Sequence, residues 1–441
     1  LLNDYMAVGG VEVVNHARLR AYLGTVGSPL DSGAEICACD SLTADVLDHL
    51  PYTTPDDPDS PAPWWDPDVP ESAAFAGFMA LSIDGVDDSP VRRTVTNAVI
   101  GGGAIGPARA LPRTITVTGI LLGATCCAVE YGLHWLGEAL QGCGGSSCGG
   151  DCVTMYNCCP GEEMTSEEFN ARHRRTFRRV ALVDGPTVTG RSGSGSCAEG
   201  RCQSGADIVS VEFVLVAASP WAWTDSAPLL AVAPPVDDSD TCVTWCLTGS
   251  TAPGCAGACQ YAECLDPEAQ CTNPRCVPPA PPGPTALDTC FCLPLATERA
   301  CYDIDLSHLP QWSVSAPMIT VHAGVSDLRN VTITLYEKTS AQDLLTCDEI
   351  ADLNRCSPHS VYSVQYVPAG GALTIDGQVG RAVVECGGGC ESSRDVSGAN
   401  GAPPSFKTLD CASYCLCITT DVSNPPAENA TVSLAVSGRG Y

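Results

Sequence analysis

At 441 residues the chain is long enough for two or three domains that each bury a core of their own, which argues against one compact domain. Its 22 Lys+Arg against 51 Asp+Glu give a formal charge of -29, a sign that repels phosphate backbones and makes nucleic-acid binding a poor reading of the surface. No run approaches the ~20 apolar residues of a membrane helix, and LLNDYMAVGG at the start lacks the basic-then-apolar order of an ordinary export signal.

Residues 11–23 (VEVVNHARLRAYL) read as a strand followed by a turn or short helix. The polar connection from 24 to 68 holds Pro51, Pro55, Pro58, Pro61, Pro63 and Pro67 around Trp64 and Trp65. It cannot be a regular element and is expected to drape over a surface with its aromatics tucked in. Strands are predicted over 75–83, 92–100 and 114–122. In the last, Ile115 and Val117 alternate with Thr114, Thr116 and Thr118, whose faces should meet water or a neighbouring subunit.

Gly101-x-Gly103-x-x-Gly106 has the letters of a dinucleotide fingerprint, but Pro107 and Pro112 follow where a helix would have to open, so a glycine-rich hairpin turn is the better reading. Asp84-Gly85-Val86-Asp87-Asp88 lacks the spaced oxygens of a calcium loop and reads as a turn. Residues 130–141 (EYGLHWLGEALQ) predict a helix packed on a sheet through Tyr131, Trp135, Leu136, Ala139 and Leu140, stopped by Gly142, with His134 in solvent. A second helix is expected over 166–178. Thr165 and Glu168 would open it as a capping box, and Arg172, Arg174, Arg175, Arg178 and Arg179 would sit at its last turns.

Residues 179–223 form a two-strand unit: Val209, Val211, Phe213 and Leu215 alternate with Ser210 and Glu212, the spacing of a strand buried on one side. Gly185-Pro186 and Ser219-Pro220 are read as stops, and the glycine/serine loop between the runs makes the unit a long hairpin. Beyond 301 the same period of two recurs at Ile319 and Val321, at Val331, Ile333 and Leu335, at Tyr362, Val364 and Tyr366, and at Leu373 and Ile375. Turns at 368–371 and 376–377 separate these runs, and a last strand is expected over 430–436. The fold class is therefore mainly β: two β-sandwich domains, the N-terminal one with two short helices and the C-terminal one a sandwich or jelly roll. The expected boundaries are 1–230 with a Cys-rich insertion near 143–202, a Cys/Pro-rich module over 231–300, and 301–441.

The 28 cysteines fall in three groups. The first holds Cys37, Cys39, Cys126, Cys127, Cys143, Cys148, Cys152, Cys158, Cys159, Cys197 and Cys202. The second holds Cys242, Cys246, Cys255, Cys259, Cys264, Cys271, Cys276, Cys290, Cys292 and Cys301; the third holds Cys347, Cys356, Cys386, Cys390, Cys411, Cys415 and Cys417. All are disulfide candidates. The first and third groups are odd in number, so full oxidation requires a bridge between segments or between chains. Large apolar residues are sparse from 237 to 300, where bridges would replace a missing core, each closed loop of ~15 residues contributing on the order of 3 kcal/mol. Zinc on Cys242, Cys246, Cys255 and Cys259 is the competing account, with Cys386-x3-Cys390 similarly spaced. It is disfavoured because C-x2-C pairs are absent and His308 and His322 lie in strand-like text. The bridges are expected to form after the protein leaves a reducing cell.

No HExxH helix or GK[ST] loop occurs, and the histidines are scattered, so no catalytic residue, cofactor site or metal site is assigned and the chain reads as a non-enzyme. Asn330-Val-Thr and Asn429-Ala-Thr would accept glycans only in a secretory pathway.

Taken in order, VEVVNHARLRAYL, RRTVTNAVIGGGAIGPARALPRTITVTGILLGAT, EYGLHWLGEAL, VALVDGPTVTG and VEFVLVAASPWAW resemble the minor tail proteins of actinobacterial siphophages of the distal tail type, over most of residues 8–225. The C-terminal sandwich resembles the galectin-like second domain of distal tail proteins. The resemblance implies a structural virion protein at the tail tip, assembled in the host cytoplasm. It further implies a ring, commonly six-fold, that joins the tail tube protein to tip and hub proteins, with the genome passing through its lumen. The cysteine load and the inserted module depart from that pattern. They leave open a second reading, a disulfide-rich adhesin that grips host surface glycans through Trp312 or Tyr366.

Overall fold

A computed structural model describes residues 2–27, 39–88, 91–142, 152–161, 164–193, 204–236, 243–246, 290–293, 297–309, 313–386, 389–421 and 424–440. The first half runs β1 (Tyr5–Val8), β2 (Val11–Asn15), α1 (His16–Val26), α2 (Pro70–Ala73), β3 (Phe75–Asp84), β4 (Val91–Arg92), β5 (Val95–Asn97), β6 (Gly103–Ile105), β7 (Arg109–Ala110), β8 (Arg113–Thr125), α3 (Cys126–Ala139), β9 (Cys152–Tyr156), α4 (Ser166–His173), β10 (Arg174–Arg178), β11 (Val180–Gly193), β12 (Ser204–Ala217) and β13 (Ala222–Trp223). The second half runs β14 (Ala227–Val232), β15 (Val243–Cys246), β16 (Cys290–Leu293), β17 (Thr297–Asp305), β18 (Val314–His322), β19 (Leu328–Lys338), α5 (Cys347–Leu353), β20 (Ser360–Val367), β21 (Ala372–Asp376), β22 (Arg381–Cys386), β23 (Gly389–Ser392), β24 (Val396–Ser397), β25 (Ser413–Asp421) and β26 (Thr431–Gly440). The molecule is mainly β.

The N-terminal half is one long sheet in the order β11-β12-β8-β3-β2-β1-β9-β10-β13, curled around a core that takes residues from strands at both of its ends. Its pairs are antiparallel except β2 with β3, which meet in parallel at Val14 and Phe78. A parallel neighbour needs a long crossover, and α1 with the proline-rich connection supplies it. Asn15 caps α1 by accepting from Arg18 N at 3.0 Å, and Gly27 ends it with φ 62°. As the prolines require, the described part of the connection is irregular up to α2. Trp64 is buried against Phe75 and Trp135, and its Nε1 donates to Phe75 O at 3.1 Å.

Three expectations need correction here. The helix expected over 130–141 starts at Cys126, because Thr125 caps it by accepting from Ala128 N at 3.2 Å. The helix expected over 166–178 stops at His173: Arg174–Arg178 is strand β10, whose backbone hydrogen bonds go to β9 and β13, so most of the arginine cluster lies beyond the helix dipole. Gly185-Pro186 does not end a strand but lies inside β11 at a register irregularity against β12. The loop with Cys197 and Cys202, the bulk of the 231–300 module with its zinc alternative, and Trp312 lie outside the described residues.

One close approach fixes how α3 sits on the sheet. A Cβ at Gly132 would lie 2.3 Å from Phe75 Cε2 on β3. Gly132→Ala should therefore lower stability by about 1–3 kcal/mol through overpacking, outweighing the ~1 kcal/mol helix-propensity gain. Chemical denaturation of the variant checks the sign; a stabilised variant would show that α3 can slide away from β3.

In the C-terminal half, β17-β25-β19-β20-β24 forms one sheet, and β14 with β26-β18-β21-β22-β23 forms the facing one. Ile333, Tyr362 and Leu416 from the first share a core with Ile319, Ile375 and Leu434 from the second, which makes this half a sandwich. The second sheet is continuous with that of the first half through β13, where Ala222 pairs with Gly440 and Trp223 with Arg439. Cys415 and Cys417 point to the face of β25 opposite Tyr414 and Leu416, and form a small outer core with Tyr336 and Ile350 of α5. Both are bridged there, Cys417 to Cys301 on β17 and Cys415 to Cys347 on α5. Cys301–Cys417 crosses from the second cysteine group to the third. Cys39–Cys159 ties the connection to the loop after β9, and Cys127 is also disulfide-bonded. Cys158, Cys356, Cys386 and Cys411 carry unbridged sulfurs.

Candidate assembly surface

Two features stand out on the described surface. The first is an arm. Strands β4 and β7 pair at Val91 with Ala110 and Arg92 with Arg109, and β5 and β6 pair from Val95 with Ile105 to Asn97 with Gly103. Gly101 and Gly102, at φ 95° and 76°, turn the tip through conformations that favour glycine. The fingerprint-like glycines thus belong to a hairpin, Gly101 in its turn and Gly103 at the start of its second strand. The strand expected over 92–100 is no core strand: every residue from 91 to 105 is exposed, with Val99 at 102%, Ile100 at 99%, Ile105 at 71% and Val95 at 65%. A hairpin without a third strand or a core beneath it is marginal in water, and contiguous exposed apolar residues mark contact sites. The arm is also cationic. Arg92, Arg93 and Arg109 stand in a stretch without one acid from 91 to 128, on a chain of net charge -29.

The second feature is the strap formed by the proline-rich connection. Arg18, buried in α1, holds it from beneath: Nε donates to Glu12 Oε1 at 2.7 Å, and Nη1 donates to Tyr22 OH at 2.9 Å, to Pro61 O at 3.3 Å and to Ser60 O at 3.4 Å. Its guanidinium also lies 4.2 Å from the centre of the Tyr52 ring. Burial alone would weaken the hold of Arg18 on its proton; Glu12 and Tyr22 outweigh it and raise the pKa. Burial raises the Tyr52 phenol as well, which keeps it neutral. Asn15 Nδ2 donates to Tyr52 OH at 3.0 Å, and Asp4 accepts Cys39 N at 2.8 Å at the bridged end of the strap. The strap is therefore pinned at several points.

The arginine cluster does not act as one patch: Arg178 and, from the other half, Arg439 reach across the joint between the halves, Arg174 pairs within the first half, and Arg172 and Arg179 are exposed. Arg178 donates to Asp376 Oδ2 at 3.1 Å and to Gln378 Oε1 at 2.7 Å, Arg174 pairs with Asp225 at 2.7 Å, and Arg439 lies 4.2 Å from the centre of the Trp221 ring. On β8, Thr114, Thr116 and Thr118 lie on the face away from the core, as their alternation implies. His134 is exposed, and His308 and His322 are exposed at chain turns and strand ends. Tyr366, a glycan candidate, is only half-exposed and lies under Arg329, whose guanidinium is 5.1 Å from the ring centre. Among the described residues no group of three or more His, Cys, Asp or Glu could hold a metal ion, and no helix is long and apolar enough to cross a membrane.

The sequence offered a strand over 92–100 and a glycine-rich turn here, but nothing in those letters says that the segment leaves the sheet. Asp4 and Arg18, which place the strap, carried no sequence signal, because their partners are 35 and 42 residues away.

No family model matches the chain, and no curated protein matches it. Among solved structures, the chain is similar to the SPP1 Dit protein, described as a paradigm of the hub adsorption apparatus in phages infecting Gram-positive hosts, with a TM-score of 0.34 and 9% identity over 84% of this chain and 96% of that one. It is similar also to a chain of the phage p2 baseplate in its activated conformation, with a TM-score of 0.38 and 8% identity over 82% of this chain and 90% of that one.

Proposed function

We propose that the protein is a structural component of a siphophage tail tip. Copies assemble into a closed, hexameric ring that joins the tail tube to the hub and anchors tip or receptor-binding proteins. On this reading the half from 1 to 230 builds the ring, the half from 301 to 441 projects from it, and the Cys/Pro-rich stretch between them is an added module. The protein performs no turnover. The sequence blocks between 8 and 225 that resemble distal tail proteins support the reading.

The observation that carries it is the arm. A cationic hairpin with an apolar tip, wholly exposed in the single chain, is stable only when another surface covers it, and the acidic surface of the rest of the chain suits it. The net acidity also suits a lumen along which DNA slides without adhering, and sulfur bridges suit a particle that persists outside cells.

Native mass spectrometry of the purified full chain tests the proposal. The expected result is a closed oligomer, reduced to monomer when residues 91–110 are replaced by a short Gly-Ser turn. Thermal stability of the monomeric unit should be unchanged, because the arm contributes nothing to either core. A wild-type protein that stays monomeric at every concentration would refute the ring.

A further inference from the structure

The arm must be covered by something, and the chain itself offers the complementary surface. Between Arg20 and Arg92 there is no Lys or Arg, while residues 45–71 hold eight acids. Asp56, Asp59 and Asp68 are exposed along the strap, and Leu50 in the same stretch of chain is 57% exposed. The backbone that bears these carboxylates is held by Arg18, by the buried Trp64 and by the prolines, so little freedom is lost when a partner binds. Since residues 91–105 are exposed without exception, the arm does not reach the strap of its own chain.

We infer that the arm of one copy docks on the acidic strap of the next copy, Arg92, Arg93 and Arg109 facing Asp56, Asp59 and Asp68, with the apolar tip residues Val99 and Ile100 covered by the neighbour. The inference rests on the ring reading and adds to it the pair of surfaces that make the joint. Arm and strap are different patches, so each copy gives one and receives one. Such a head-to-tail contact forms a ring when its rotation closes, whereas a self-complementary patch would stop at a dimer. Exposed charges separated by more than ~8 Å are screened at physiological salt, so the joint should loosen as salt rises.

Charge reversal on both sides tests it. The triple variants Arg92→Glu/Arg93→Glu/Arg109→Glu and Asp56→Lys/Asp59→Lys/Asp68→Lys should each weaken assembly roughly a hundredfold, as juxtaposed like charges do. A chain carrying both sets should assemble again. A photoreactive residue at Val99 should cross-link to residues 45–71 of an isotopically distinguished copy. Circular dichroism and melting of each variant must match wild type, and cross-linking of the wild-type background gives a reading even where a variant does not fold. If the arm variant dissociates while the strap variant still assembles, the strap is not the occupant and the inference fails with the ring intact. Cross-links to another surface or another protein have the same meaning. A monomeric wild type removes the ring and the inference together.

Discussion

Replacing Cys347 and Cys415 by alanine lowers the stability of the C-terminal sandwich by about 4–5 kcal/mol on the chain-entropy argument, and replacing Cys301 and Cys417 does about the same. The bridges close segments of 68 and 116 residues, long enough that the open chain gains a large conformational freedom when either is cut. Packing adds to the loss. Cys415 and Cys417 are buried at 0% and 2% exposure, and the first anchors α5, a seven-residue helix too short to persist without tertiary support. For a unit of this size the melting temperature should fall on the order of 10 °C per bridge. Scanning calorimetry under non-reducing conditions checks this. The transition of the first half should hold its temperature, since neither bridge touches its core, and a joint shift of both transitions, or of neither, would contradict the assignment.

Arg18→Met should destabilise the N-terminal half by about 3–5 kcal/mol, because it leaves the Glu12 carboxylate buried without its cation. The same change removes the donors to Ser60 O and Pro61 O, so the strap should loosen. Faster hydrogen exchange and proteolysis confined to residues 45–69 would report that loosening. The companion variant Glu12→Gln/Arg18→Met should recover part of the loss, since it removes the stranded charge, yet leave the strap loose. Full recovery of both properties would mean that Arg18 acts only as a counter-ion. Denaturant titration of the single and double variants separates the two roles.

The parts of the fold that were legible in the sequence are those set by local pattern. The period of two at 319–321, 331–335, 362–366 and 373–375 became β18, β19, β20 and β21, because one face of each strand is buried in a shared core. Pairing between distant strands left no such trace. Nothing near Val14 announces its parallel neighbour Phe78, and nothing near Ala222 announces Gly440. Helix α5 went unread although Thr346 and Glu349 form a capping box, since only Ile350 and Ala351 of its residues are buried and two positions make no stripe. The arginine cluster was misplaced for a related reason: cations in the last turn of a helix and cations along a strand that joins two cores have the same letters. In the arm, the strand expected over 92–100 is broken into the short β4 and β5, and the letters could not say that neither would pack on a core of the same chain.

Strand β26 lies between β18 and β14 and reaches β13, so the second half's sheet and the joint between the halves both wait on residues 431–440. During synthesis, the first half can condense around its own core while β13 keeps an unpaired edge. The joint cannot form before those residues are made. A ribosome-bound intermediate would therefore present an open strand edge until residues 431–440 emerge, an interval in which misassociation with a neighbouring nascent chain competes with correct closure.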